Sequence, residues 1–194
     1  LLEKKNIEDE FLANFRGLKK LEILILTETS VTDRGLANLT DEGRQPLPPL
    51  QRLGLDGTKI SQTGLKFLSG SHALWELLLN GTAISQSPVL GQFPNLTVFD
   101  IADTSLTSDD LQIIAEFSNL ERLTMDASRL TETVTRTVAD LSKLRALKLR
   151  NLPSDFESGQ LAKFSLLTEL YVNADDHEVF DDEFWLAIAG LQEL

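Results

Sequence analysis

Leu50-Gln-Arg-Leu53-Gly-Leu55-Asp-Gly-Thr58-Lys-Ile60-Ser-Gln-Thr-Gly64-Leu65-Lys-Phe-Leu68 is the stretch over which most of the chain can be laid with its apolar residues in register. Its Thr58 recurs as Thr29, Thr82, Thr104 and Ser128, at spacings of 29, 24, 22 and 24 residues, and two weaker equivalents, Leu152 and Asp175, continue the series at 24 and 23. An L-x-x-L-x-L frame precedes each anchor: Leu21/Leu24/Leu26, Leu50/Leu53/Leu55, Leu74/Leu77/Leu79, Leu96/Phe99/Ile101, Leu120/Leu123/Met125, Leu144/Leu147/Leu149 and Leu167/Leu170/Val172. Self-similarity at such a period marks a repeat architecture.

The L-x-L core of each frame has period 2, the mark of a short strand with its leucines on one face. Beyond the anchor the period lengthens. Leu36 and Leu39, Leu65 and Leu68, and Leu111 and Ile114 lie three apart, with Thr, Ser or Asp ahead of them where a helix is capped. The run 107–110, Thr-Ser-Asp-Asp, also places its acids where a helix dipole favours negative charge. Each unit therefore reads as strand, turn and short helix. No such unit can bury its apolar face alone, so neighbours must stack, with strands paired in parallel and helices outside.

The pattern L-x-x-L-x-L-x-x-T-x-h-[ST]-x-x-G-L-x-x-L, where h is apolar, resembles that of the leucine-rich repeat family over almost the whole chain. The tail at 32–39, Thr-Asp-Arg-Gly-Leu-Ala-Asn-Leu, is similar to the helix-bearing repeats of about 24 residues found in F-box-type receptors and large bacterial arrays. The resemblance implies an α/β fold, a right-handed curved solenoid with parallel strands on the concave face and short helices on the convex face. Residues 1–194 would form one domain of about seven full repeats with partial repeats at both ends. This chain departs from the family in carrying Thr or Ser at the anchor in place of Asn or Cys, and a hydroxyl can serve turn groups similarly. Leu152, followed by Pro153, cannot, so an irregular convex side is expected over 151–164.

Two insertions break the rhythm. The proline-bearing run 41–49 suggests an extended loop, and the acidic run 175–183 a solvated loop leading into a helix at Phe184; both are expected at the rim or convex side. The acidic run does not match the alternating ligands of a calcium loop. Trp185 aligns with Leu36 and is expected in the convex core. The stretch 7–15 lies over 31–39, Leu2 over Leu26, and 191–194 over 18–21, so the chain reads as a segment of a longer array.

If the frames pair in register, the strand residues pointing away from the core form lateral rows whose successive members, on neighbouring strands, stand about 4.8 Å apart. Ile25, Gly54 and Leu78 would form one row, flanked by Ile23 and Val98: an apolar patch with a shallow dent at Gly54. Trp75, just ahead of its strand, is a candidate interface anchor near the strand entry, and Arg52, Asp56, Glu76 and Asn80 occupy further outward positions of the second and third frames. Farther along, Asp126 would sit beside Arg150 as a lateral ion pair, while Asp100, Thr124, Lys148 and Tyr171 follow one another next to Arg122. The resemblance implies that this concave face binds a partner.

Composition narrows the partner. At 42% apolar and 25% charged, the 194 residues can bury a continuous core. Their net charge of -12 argues against a phosphate backbone and for another protein with a basic surface. There is no cysteine, hence no disulfide or thiolate site, and no apolar run long enough to insert into a membrane. Asn38, Asn80 and Asn95 head formal glycosylation sequons. With only His72 and His177, in unrelated loops, and no hydrolase, nucleotide-binding or zinc motif, neither catalysis nor a cofactor is expected. The sequence thus points to a non-catalytic protein-binding scaffold. Its alternatives are a substrate-receptor or regulatory segment of a larger enzyme complex, and a cell-surface structural or adhesive array.

Overall fold

In the computed structural model, which describes residues 7–40, 48–86, 88–174, 180–191 and 193, the seven frames form seven short strands. They are β1 (Ile23–Ile25), β2 (Arg52–Gly54), β3 (Glu76–Leu78), β4 (Val98–Asp100), β5 (Arg122–Asp126), β6 (Ala146–Arg150) and β7 (Glu169–Val172). Every strand is parallel to the next, and the spatial order is the sequence order. The central frame residues Leu24, Leu53, Leu77, Phe99, Leu123, Leu147 and Leu170 stand opposite one another, as the frame alignment requires. All but Leu170 are buried, and they join the helix-side residues Leu36, Leu65, Leu111, Val134 and Leu161 in one core strip.

Among the described residues, four return segments contain α-helix: α1 (Asp33–Asn38), α2 (Gln62–Leu65), α3 (Glu132–Ala139) and α4 (Asp182–Ala189). Others are 3₁₀, including Leu90–Gln92, Asp110–Glu116 and Ser158–Lys163. A 3₁₀ turn rises about 2.0 Å per residue against about 1.5 Å for an α-helix, so it recrosses the repeat with fewer residues. The expected irregularity after Pro153 takes this form at Ser158–Lys163. The start at 107–110 is a reciprocal cap, in which the Thr107 N–H donates to Asp110 Oδ2 at 3.0 Å and the Asp110 N–H to Thr107 Oγ1 at 3.2 Å.

The anchors explain the turn between strand and helix. Thr29, Thr58, Thr82 and Thr104 are buried, and each hydroxyl donates to the carbonyl three residues back, at 2.7, 2.6, 2.6 and 2.8 Å. The residue ahead of each is left-handed: Glu28, Gly57, Gly81 and Asp103 have φ of 56°, 64°, 67° and 52°. Asn151, ahead of Leu152, matches at 51°. Ser128 breaks the series. It is preceded by Ala127, for which that conformation is unfavourable, and the chain instead makes a 3₁₀ turn over Ala127–Arg129 that buries Ala127 and leaves Ser128 exposed. Ser128 is thus an anchor in alignment only.

A second inter-repeat device explains the glycine in the motif. Asp33, the first residue of α1, accepts from the Ser61 N–H at 2.7 Å and from its hydroxyl at 2.6 Å, and Asp9 holds Thr32 in the same way at 2.7 and 2.6 Å. Thr32 and Ser61 in turn cap α1 and α2. These carboxylates lie where a Cβ on Gly35 or Gly64 would stand, 2.7 Å from Asp9 Oδ1 and 2.4 Å from Asp33 Oδ1. At Gly64 the neighbouring repeat excludes a side chain, and at Gly35 it does so together with Val31 of the same repeat, whose Cγ1 would also lie 2.7 Å from the Cβ.

At the C-terminal end the alignment slips by one residue. Phe184 enters the core at 3% exposure, whereas Trp185, expected there, is 58% exposed and packs edge-on against Phe184 at 5.4 Å. Asp181 caps α4, accepting from the Phe184 N–H at 2.8 Å, and this fixes which face turns inward. Residues 41–47, 175–179, Leu2 and Leu194, on which the insertion and end-of-repeat readings partly fall, lie outside the described residues.

Candidate binding face

Parallel pairing in register places the outward strand residues in two straight rows. The first is Ile23, Arg52, Glu76, Val98, Arg122, Ala146, Glu169; the second is Ile25, Gly54, Leu78, Asp100, Thr124, Lys148, Tyr171. Successive side chains of a strand face opposite ways, so burying the central leucines obliges these neighbours onto the open face. Helical segments are wider than the strand spacing, which bends such an array toward its sheet.

Over β1 to β4 this face is apolar at one edge and tightly paired inside it. Ile23 and Ile25 are 51% and 49% exposed. Gly54 does not leave the expected dent: a Cβ there would lie 3.1 Å from Ile25 Cδ1, so the Ile25 side chain leans across the glycine and fills the space. Arg52 grips Glu76 with two hydrogen bonds, Nε to Oε2 at 2.9 Å and Nη2 to Oε1 at 2.8 Å, and Glu76 is only 7% exposed. That pairing raises the Arg52 pKa above its ordinary value, through the hydrogen bond first and the charge second. The guanidinium carbon also lies 5.6 Å from the centre of the half-buried Trp75 ring. Arg52, Glu76 and Trp75 therefore form one preassembled cluster.

Beside it stand two carboxylates at a cost. Burial raises the pKa of Asp56, against hydrogen bonds accepted from the Asn80 N–H at 3.0 Å and the Thr27 hydroxyl at 3.3 Å. Burial also raises Asp100 to about 6, and the charge of Asp56 adds to this, while the Ala102 N–H at 3.0 Å and the cations Arg150 and Lys148 oppose it.

Across β5 to β7 a different geometry emerges. The expected Asp126–Arg150 ion pair is not made, although the two are register partners. Arg150 Nη2 lies 3.4 Å from Asp103 Oδ2. Asp126 instead accepts from the Asp103 N–H at 3.0 Å and from Asn151 Nδ2 at 2.9 Å. In the preceding repeats the matching N–H groups of Glu28, Gly57 and Gly81 reach the next repeat's backbone carbonyls. Where the chain diverts into the turn at Ala127, the Asp126 carboxylate takes the carbonyl's place. Asp126 thus serves the scaffold.

Small Ala146 opens a depression of about 250 Å³, floored by it and Leu123 and walled by Val98, Arg122, Thr124, Lys148, Glu169 and Tyr171. Arg122 reaches over Ala146 to within 3.7 Å of Glu169, and the Tyr171 hydroxyl donates to the other Glu169 oxygen at 3.3 Å. Val98, Arg122, Lys148 and Tyr171 were legible as face residues. The role of Ala146 was missed; its signal was a small residue between two long charged ones in one row.

No protein-family model matches the sequence, and no curated protein does. Among solved structures, internalin C2 of Listeria monocytogenes superposes with a TM-score of 0.58 at 21% identity, over 97% of this chain and 72% of that one. The fold is a leucine-rich repeat solenoid. Fainter likenesses, with TM-scores of 0.44 and 0.42, are to the plant peptide hormone receptor RGFR1 in complex with RGF2 (13% identity, 87% of this chain and 30% of that one) and to the internalin InlF of Listeria monocytogenes (20% identity, 90% and 65%). In this leucine-rich repeat solenoid the outward rows are the part of the sheet that packing leaves free to vary.

Proposed function

We propose that this solenoid is a non-catalytic protein-binding scaffold that takes its partner on the open face of the sheet. The observation that carries this is the pair Ile23 and Ile25, about half exposed on the face of the sheet opposite the leucine core. Contiguous aliphatic surface of this kind is costly to leave in water and marks interfaces. Behind it the Arg52–Glu76–Trp75 cluster offers an aromatic and an arginine already held in place, the residue types that dominate interface energies. Asp56 and Asp100, both desolvated, favour a partner that brings positive charge to β2 through β4.

The test is comparative capture with crosslinking, using wild type, Ile23→Asp/Ile25→Asp on the sheet face and Trp185→Asp on the helix side. A partner retained by wild type and Trp185→Asp, lost at least tenfold by the sheet-face variant and crosslinked to the sheet supports the reading. Equal retention by all three, or crosslinks confined to the helix side, overturns it.

A further inference from the structure

The depression over Ala146 departs from the acidic balance of the chain. In a chain of net charge -12, its walls set Arg122 and Lys148 against Glu169 alone, leaving one positive charge. The one carboxylate is poorly engaged: Glu169 stands 3.7 Å from Arg122, beyond hydrogen-bond range, and 3.3 Å from the Tyr171 hydroxyl. Arg122, Lys148, Thr124 and Tyr171 line a hollow floored by the apolar carbon of Ala146 and Leu123, so the rim offers two cations and two hydroxyls around an apolar base.

We infer that this depression is a subsite for an acidic side chain, Asp or Glu, of the partner segment lying across the sheet, with Glu169 as the internal carboxylate it displaces. The inference rests on the open-face reading and adds an orientation to it. From the isoleucine edge at β1 and β2 to β6 is four to five strand spacings, roughly 19–24 Å. Extended chain covers about 3.3 Å per residue, so the acid sits about six or seven residues from the side chain that meets Ile23 and Ile25. A partner lying the other way round would set its acid against Asp56 and Asp100.

Peptides selected from a random 16-residue display library on the full chain provide the test, with affinities then measured for wild type, Arg122→Gln/Lys148→Gln and Ile23→Asp/Ile25→Asp. The expected peptides carry one required Asp or Glu. Replacing that residue by Asn or Gln, or using the Arg122/Lys148 variant, each weakens binding about tenfold, and the two together weaken it no further. Peptides that need Ile23 and Ile25 but bind the Arg122/Lys148 variant as well as wild type overturn the carboxylate subsite alone. A library yielding no binder, or binders indifferent to Ile23 and Ile25, overturns the open-face reading and the subsite with it.

Discussion

Gly64→Ala is the substitution whose sign separates local preference from inter-repeat packing. Gly64 lies in α2 outside the left-handed region, so alanine fits the backbone, and helix propensity alone predicts a gain of about 1 kcal/mol. The new Cβ would stand 2.4 Å from Asp33 Oδ1 and 3.1 Å from the Asp33 Cα, so the carboxylate must leave Ser61. Losing even one of its two hydrogen bonds from Ser61 costs about 1.5–3 kcal/mol, and forcing packed atoms apart about 1–3 kcal/mol more. The net expectation is destabilisation by about 1.5–5 kcal/mol. In urea unfolding, with m near 2–3 kcal/mol/M, this lowers the midpoint by about 0.5–2.5 M at unchanged m. The same change in an Asp33→Ala background, where the obstructing oxygens are gone and only the 3.1 Å approach to the residue 33 Cα remains, should cost much less. An equal loss in both backgrounds, or a stabilised single variant, would refute the argument.

Asp100 makes stability depend on pH. Its native pKa of about 6 lies above the ordinary 3.8, so between these values the native state holds a proton that the unfolded state has lost. Its contribution is therefore unfavourable above pH 6 and is relieved as the pH falls toward 4, by up to about 3 kcal/mol. Asp100→Asn should gain stability over wild type at pH 7.5 and lose that advantage at pH 4; a pH-independent difference in denaturation midpoints would contradict the burial of the carboxylate. Leu147→Ala, at a fully buried position of the central row, should cost about 2–5 kcal/mol in the same assay.

The return segments and the turns divide what was legible from what was not. The frame leucines announced themselves because a period of 2 recurring about every 24 residues admits one parallel stack, and the register confirms it for all seven strands. Ser128 and Trp185 misled for a common reason. Alignment transfers an average environment, whereas Ala127 changed the backbone of one turn and the Asp181 cap rotated one helix. Neither effect is periodic, so no comparison of repeats exposes it.

By itself the sequence determined the solenoid, its strand register, the strand side of its core and the membership of the outward rows, since each follows from burying one face of a repeated strand. Only the tertiary structure decided what those outward residues do to one another. Ile25 closes the gap at Gly54, Glu76 is held by Arg52, and Asp126 replaces a missing carbonyl. The hollow on this face opens at Ala146. The reason is reach: a strand pattern fixes which way a side chain leaves the backbone, but where its end comes to rest depends on neighbours about 24 residues away in sequence and roughly 5 Å away in space.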